Sequence, residues 1–103
     1  MMTEFRLYLG KNRRGPDGIN RPIPAEELNE FYTSPVLLHL EGYTITPSLG
    51  CWRGDTEGSD VLVCLGEADR REEIRKVGKA YQAMFQQEAV YMTASTVDLD
   101  VIE

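Results

Sequence analysis

The sequence predicts an α+β fold in which one antiparallel sheet carries two helices on a single face. Three observations carry this reading: apolar residues alternate with polar ones early and late in the 103-residue chain, two intervening stretches show helical spacing, and a glycine-bracketed turn joins two strand-like runs. In order these give strand, helix, strand, strand, helix, strand.

The first strand is "EFRLYLG", where Phe5, Leu7 and Leu9 alternate with Arg6 and Tyr8 before Gly10 ends the run. "KNRRGPDGINRP" follows as a long polar loop with turn signals at Gly15-Pro16 and Asp17-Gly18, and loops of this length often carry function. Pro24 and two glutamates then suit a helix N-terminus on steric and dipole grounds, with Leu28 and Phe31 or Tyr32 on one face. Ser34-Pro35 interrupts that helix, because proline disfavours helical geometry in the residue before it. Ser34 is positioned to cap a second short piece carrying Val36, Leu37 and Leu40.

"YTITPSLGCWR" and "SDVLVCLGEA" read as a hairpin turning over Gly54 to Gly58. The second long helix is the clearest element: Asp69 is placed to cap it, and Ile74, Val77, Tyr81, Met84 and Phe85 recur on its core face. Gly78 inside it implies close packing, since glycine costs about 1 kcal/mol relative to alanine in a helix. The closing strand, "AVYMTASTVDLDVI", alternates Val97, Leu99 and Val101 against Asp98 and Asp100, a solvated edge on its plainest reading. The whole is a ferredoxin-like βαββαβ order: a four-stranded antiparallel sheet with two helices on one face, formed by residues 1–103 as a single domain.

One sheet face is then left open, to be polar, to bind something, or to be buried by another subunit. Leu62, Cys64, Tyr8 and Tyr91 or Met92 are candidates for apolar area there, so a homo-oligomer joined through its sheets is expected.

Composition narrows the function. A net charge of -6 and an acidic isoelectric point argue against nucleic acid as a partner. No stretch approaches the roughly 18 apolar residues of a membrane span and no apolar leader opens the chain, so a cytoplasmic protein without a membrane partner is expected. Cys51 and Cys64 stand in no CxxC or Cys/His cluster, which points to reduced thiols, no metal and no cofactor. His39, the only histidine, lies at a helix end with no serine or cysteine motif aimed at it, which makes triad chemistry improbable.

The stretch "GCWRGDTEGSD" holds the only tryptophan. Trp52 near a hairpin end is most simply half-buried packing. The sharper reading pairs its indole face with the carboxylate of Glu57, with Asp55 and Asp60 nearby, for a positively charged small molecule. Lys11, Arg13 and Arg14 lack a P-loop or dinucleotide pattern, but can bind a carboxylate or phosphate if the loop is not simply solvated.

Gly42 opening the second strand, Gly50-Cys51-Trp52-Arg53 at its end and Glu57 ahead of "DVLVCL" give the chain a family likeness. It resembles the small PII-like proteins, ferredoxin-like subunits that assemble as trimers with ligand sites in the clefts between them. More narrowly it is similar to the phage S-adenosylmethionine lyases, in which tyrosine stands at the position of Trp52. Gly50-Cys51-Trp52, Glu57-Gly58-Ser59 and "YQAMFQQEAV" also resemble a family of small bacterial Gly-x-Trp proteins that carries no assigned activity.

The lyase resemblance implies that the substrate's own carboxylate displaces its sulfide, giving methylthioadenosine and homoserine lactone without metal or protein nucleophile. Trp52 and Glu57 would be the catalytic residues, Trp52 at the sulfonium or adenosine and Glu57 at the amino group. Gly50, Cys51 and Arg53 would bind substrate with Lys11, Arg13 and Arg14, Arg53 steering the carboxylate. A PII-like module that holds a small molecule or nucleotide unchanged, and an acidic protein-interaction (anti-defence) protein, are the alternative readings.

Overall fold

A computed structural model describes residues 2–38 and 40–103, with Trp52 described by its backbone alone, so the reading of His39 lies outside the described residues. The elements are β1 (Met2–Gly10), β2 (Asn12–Arg14), β3 (Asn20–Pro22), α1 (Ala25–Tyr32), α2 (Pro35–Leu38), β4 (Thr44–Trp52), β5 (Asp55–Gly66), α3 (Arg71–Phe85) and β6 (Tyr91–Val97). The main sheet has the order β4-β5-β1-β6, with every neighbouring pair antiparallel. This is the expected ferredoxin-like fold, with the helices on one face.

Register decides which face each residue serves. Phe5 stands opposite Cys64 and Ala94, and Leu7 opposite Leu62 and Met92. That row turns toward the helices and meets Ile74, Val77, Tyr81 and Phe85 of α3 and Phe31 and Leu37 of α1 and α2, all buried. Each such side chain contributes about 1.5 to 3 kcal/mol by burial. Phe31, Tyr81 and Phe85 pack ring against ring, with centroids 4.7 to 6.1 Å apart, and so join α1 to α3.

Leu62, Cys64 and Met92 therefore belong to the helix-covered side, correcting their expected place on the open face. Tyr8 and Tyr91 do lie on the open face, opposite one another. Met84 is also corrected: it is exposed, since its position on α3 falls outside the stripe defined by Ile74, Val77, Tyr81 and Phe85. Gly78 is packed as expected, for a Cβ there would come 3.2 Å from Leu7 and 3.4 Å from Val90.

The loop after β1 is a small hairpin of its own, β2 pairing with β3. Neither serine nor aspartate caps as expected. The Ser34 hydroxyl donates back to the Phe31 carbonyl at 2.6 Å, and a 3-10 turn over Ala68–Arg70 displaces the start of α3 past Asp69. Glu72 and Glu73 still favour the positive end of α3, and Arg70 forks onto Glu73 with two 3.0 Å bonds. Finally, β6 stops at Val97, so the alternation from Asp98 onward is not a strand within the described chain.

Candidate functional site

The β4–β5 hairpin reaches beyond the helices, leaving Leu49, Gly50 and Cys51 exposed. Its turn is the pair Arg53-Gly54, both at positive φ (50° and 86°), as the twist of a two-residue hairpin requires. The expected turn over Gly54 to Gly58 is thereby corrected, since Asp55 through Gly58 belong to β5. Register sets Trp52 opposite Asp55 and Gly50 opposite Glu57, so positions 50, 52 and 57 share one face of the ribbon. Cys51, opposite Thr56, takes the other face.

Glu57 is partly buried, and burial holds its carboxyl above the usual glutamate range. Its carboxyl group makes no side-chain hydrogen bond or ion pair among the described residues. The carboxylate occupies the space beside Gly10: a Cβ there would overlap it and would meet the Gln87 amide oxygen at 2.9 Å. Gln87 is held in place because its amide nitrogen donates to the Asn12 carbonyl at 2.8 Å and to the Phe85 carbonyl at 3.2 Å. Two acceptor oxygens thus converge on the bare backbone of Gly10.

Beneath them lies a satisfied polar cluster. Asp60, opposite Leu9 in register and 6% exposed, points to the helix side rather than joining Glu57. It accepts from the Tyr32 hydroxyl at 2.6 Å and pairs with Lys11 Nζ at 3.0 Å. The Tyr81 hydroxyl donates to the Gly10 carbonyl at 2.6 Å, anchoring the end of β1 under the Glu57 carboxylate. Burial, reinforced by negative charge at Asp60 and Glu57, raises the Tyr81 phenol far above its ordinary range. Tyr32 is raised likewise, first by burial and then by its bond to Asp60.

The basic candidates do not gather around Glu57 as a free cluster. Lys11 is paired with Asp60, Arg13 grips Glu27 with bonds of 2.8 and 3.0 Å, and Arg14 donates to the Gly18 carbonyl at 3.0 Å. Arg53 sits at the hairpin turn. Concavities of about 490 and 320 Å³ exist on the chain, the larger between Glu4, Tyr43 and Arg70 and the smaller between α3 and β6. Neither contains the 50–57 ribbon, so a pocket there needs further walls from elsewhere. Among the described residues no group of three His, Cys, Asp or Glu side chains is placed to hold a metal ion.

Gln87, Tyr32 and Tyr81 were not singled out as site residues from the sequence. Gln87 does lie in "YQAMFQQEAV", but its position follows from Gln86, whose left-handed conformation (φ 50°) ends α3 and turns the chain back toward Asn12.

The sheet order and the helix-covered core define a ferredoxin-like α+β protein. The chain belongs to a family described as a protein of unknown function (DUF3574), which matches residues 4–100. Among solved structures it is similar to a phage SAM lyase in complex with S-methyl-5'-thioadenosine, with a TM-score of 0.64 and 17% identity over 91% of this chain and 80% of that one. That likeness establishes a distant relationship in fold. No curated protein gives a match. No helix among the described residues is long and apolar enough to cross a membrane.

Proposed function

We propose that the protein degrades S-adenosylmethionine at pockets completed between subunits, releasing methylthioadenosine and homoserine lactone. The observation that carries this reading is the unpaired, partly desolvated Glu57 carboxylate converging with the Gln87 amide oxygen over Gly10. Two acceptors so placed suit an ammonium group, and the fold likeness to a phage SAM lyase supplies the substrate class.

In the reaction one oxygen of the substrate carboxylate bonds to its own γ-carbon, and the carbon–sulfur bond breaks with its electron pair passing to sulfur. Charge balances without a protein base: the sulfonium becomes a neutral sulfide and the carboxylate becomes the lactone. The protein's task is to hold the two ends of one molecule within reach, a proximity effect. Glu57 and Gln87 hold the ammonium, Trp52 faces the sulfonium, and Arg53 steers the carboxylate from the turn. Gly50 and Cys51 carry the ribbon that presents them. Lys11 acts through Asp60 and Tyr32, by fixing the end of β1 below the site. Residues 1–103 act as one unit, and a trimer supplies the missing walls.

The test is incubation of the purified chain with S-adenosylmethionine, following methylthioadenosine by liquid chromatography. Product is expected from the wild type and not from Glu57→Gln or Trp52→Ala, with circular dichroism unchanged. Substrate bound but recovered intact would make the protein a binding module instead, and neither binding nor turnover would sink both.

A further inference from the structure

The helix α3 carries Arg71, Arg75 and Lys79 at intervals of four, so the three cations share one exposed face. None of them forms an ion pair among the described residues. Like charges at this spacing disfavour a helix, and the chain as a whole is acidic. The cations line the groove of about 320 Å³ between α3 and β6, together with the apolar Val90 and Met92 and with Gly78. No carboxylate lines it. The groove borders β6, an edge strand that pairs only with β1 and leaves one row of backbone groups free.

The chain also contains a strand-like segment that belongs to no sheet among the described residues. Residues 98–102 alternate Asp98 and Asp100 with Leu99 and Val101, yet form no strand. Leu99, Val101 and Ile102 are 44%, 67% and 91% exposed, an unusual run of uncovered aliphatic residues. In an extended strand the two carboxylates stand about 6.7 Å apart. Successive cations on α3 rise by about 6 Å.

We propose that the 98–102 segment of a second copy adds to the free edge of β6. Asp98 and Asp100 then meet the α3 cations, while Leu99 and Val101 turn to the opposite sheet face beside the exposed Tyr91. Backbone bonds to β6 give the segment its strand conformation, and the charges fix its register. The contact is independent of the lyase reading, since it concerns association and not turnover.

Sedimentation velocity of the full chain tests this with two charge-reversed variants. Arg71→Glu/Arg75→Glu opposes an acidic groove to an acidic segment, and Asp98→Lys/Asp100→Lys opposes a basic segment to a basic groove. Each alone is expected to associate more than roughly tenfold more weakly than wild type, because like charges face each other at two positions. Mixed in equal amounts they are expected to associate with each other more strongly than either does with itself, since the segment of each then meets a groove of opposite sign on the other. Unchanged association of either variant, or a mixture that associates no more strongly than each variant alone, overturns the proposal. So does a wild type that stays monomeric while the variants lose thermal stability, which would place the segment on its own chain.

Discussion

Glu57 is held above the usual carboxylate range by burial, and the sign of that shift fixes its effect on stability. The folded chain binds the proton more tightly than the unfolded one. Its contribution is therefore most favourable below the unfolded pKa and is lost as pH rises through the higher folded pKa. Glu57→Gln keeps the shape without the charge, so it is expected to melt at a higher temperature than wild type at pH 7. The difference should close near pH 4, and thermal denaturation at the two pH values checks it. A variant that is both more stable and inactive separates a functional carboxylate from a structural one. Asp60 is the contrasting case: Asp60→Ala strands Lys11 and the Tyr32 hydroxyl, and is expected to cost about 3 kcal/mol in urea denaturation.

The hairpin shows how much an element depends on its turn. Gly54 has φ 86° with nothing within 4 Å of where a Cβ would lie, so Gly54→Ala isolates the backbone cost, expected at about 1 kcal/mol. A larger loss, measured by chemical denaturation, would reveal contacts that this geometry does not contain. Elements with strong periodicity were legible in the sequence: Ile74, Val77, Tyr81 and Phe85 mark the buried stripe of α3, and Phe5, Leu7 and Leu9 that of β1. The misread ends are both helix starts. Asp69 and Ser34 have capping chemistry, but a 3-10 turn places Asp69 ahead of the start of α3, and the Ser34 hydroxyl donates to the Phe31 carbonyl while the Leu37 N–H goes to the Ser34 backbone carbonyl. The 98–102 alternation has a strand pattern in sequence but pairs with no strand among the described residues. Within the site, Glu57 was visible because a local motif carries it. The Gln87–Asn12 bond joins residues 75 apart, and Tyr32–Asp60 residues 28 apart, and neither follows until β5 is set in register against β1.

At the scale of the molecule, the open sheet face is not uniform. One row across it runs Tyr91, Tyr8, Val61 and Thr46; the next runs Thr93, Arg6, Val63 and Thr44. The aromatic area therefore lies at the Glu57 end of the sheet, one strand position from Gly10, where the site lacks walls. Tyr91 is 71% exposed in that row, whereas Arg6 in the next is committed to Glu4 at 2.7 Å. A second copy covering Tyr8 and Tyr91 would both bury apolar surface and close the pocket. Tyr8→Glu is accordingly expected to lower the sedimenting mass and abolish turnover together, with the dichroism of the monomer preserved. Salt separates this contact from the α3 groove. Each copy carries a charge of -6, so screening should strengthen contact through the apolar row while weakening contact through the carboxylate–cation groove. Sedimentation of Tyr8→Glu and of Arg71→Glu/Arg75→Glu at low and high salt should then respond in opposite directions: the association left in Tyr8→Glu falls with salt, and that left in the groove variant rises. Identical salt responses would mean that one surface alone joins the subunits.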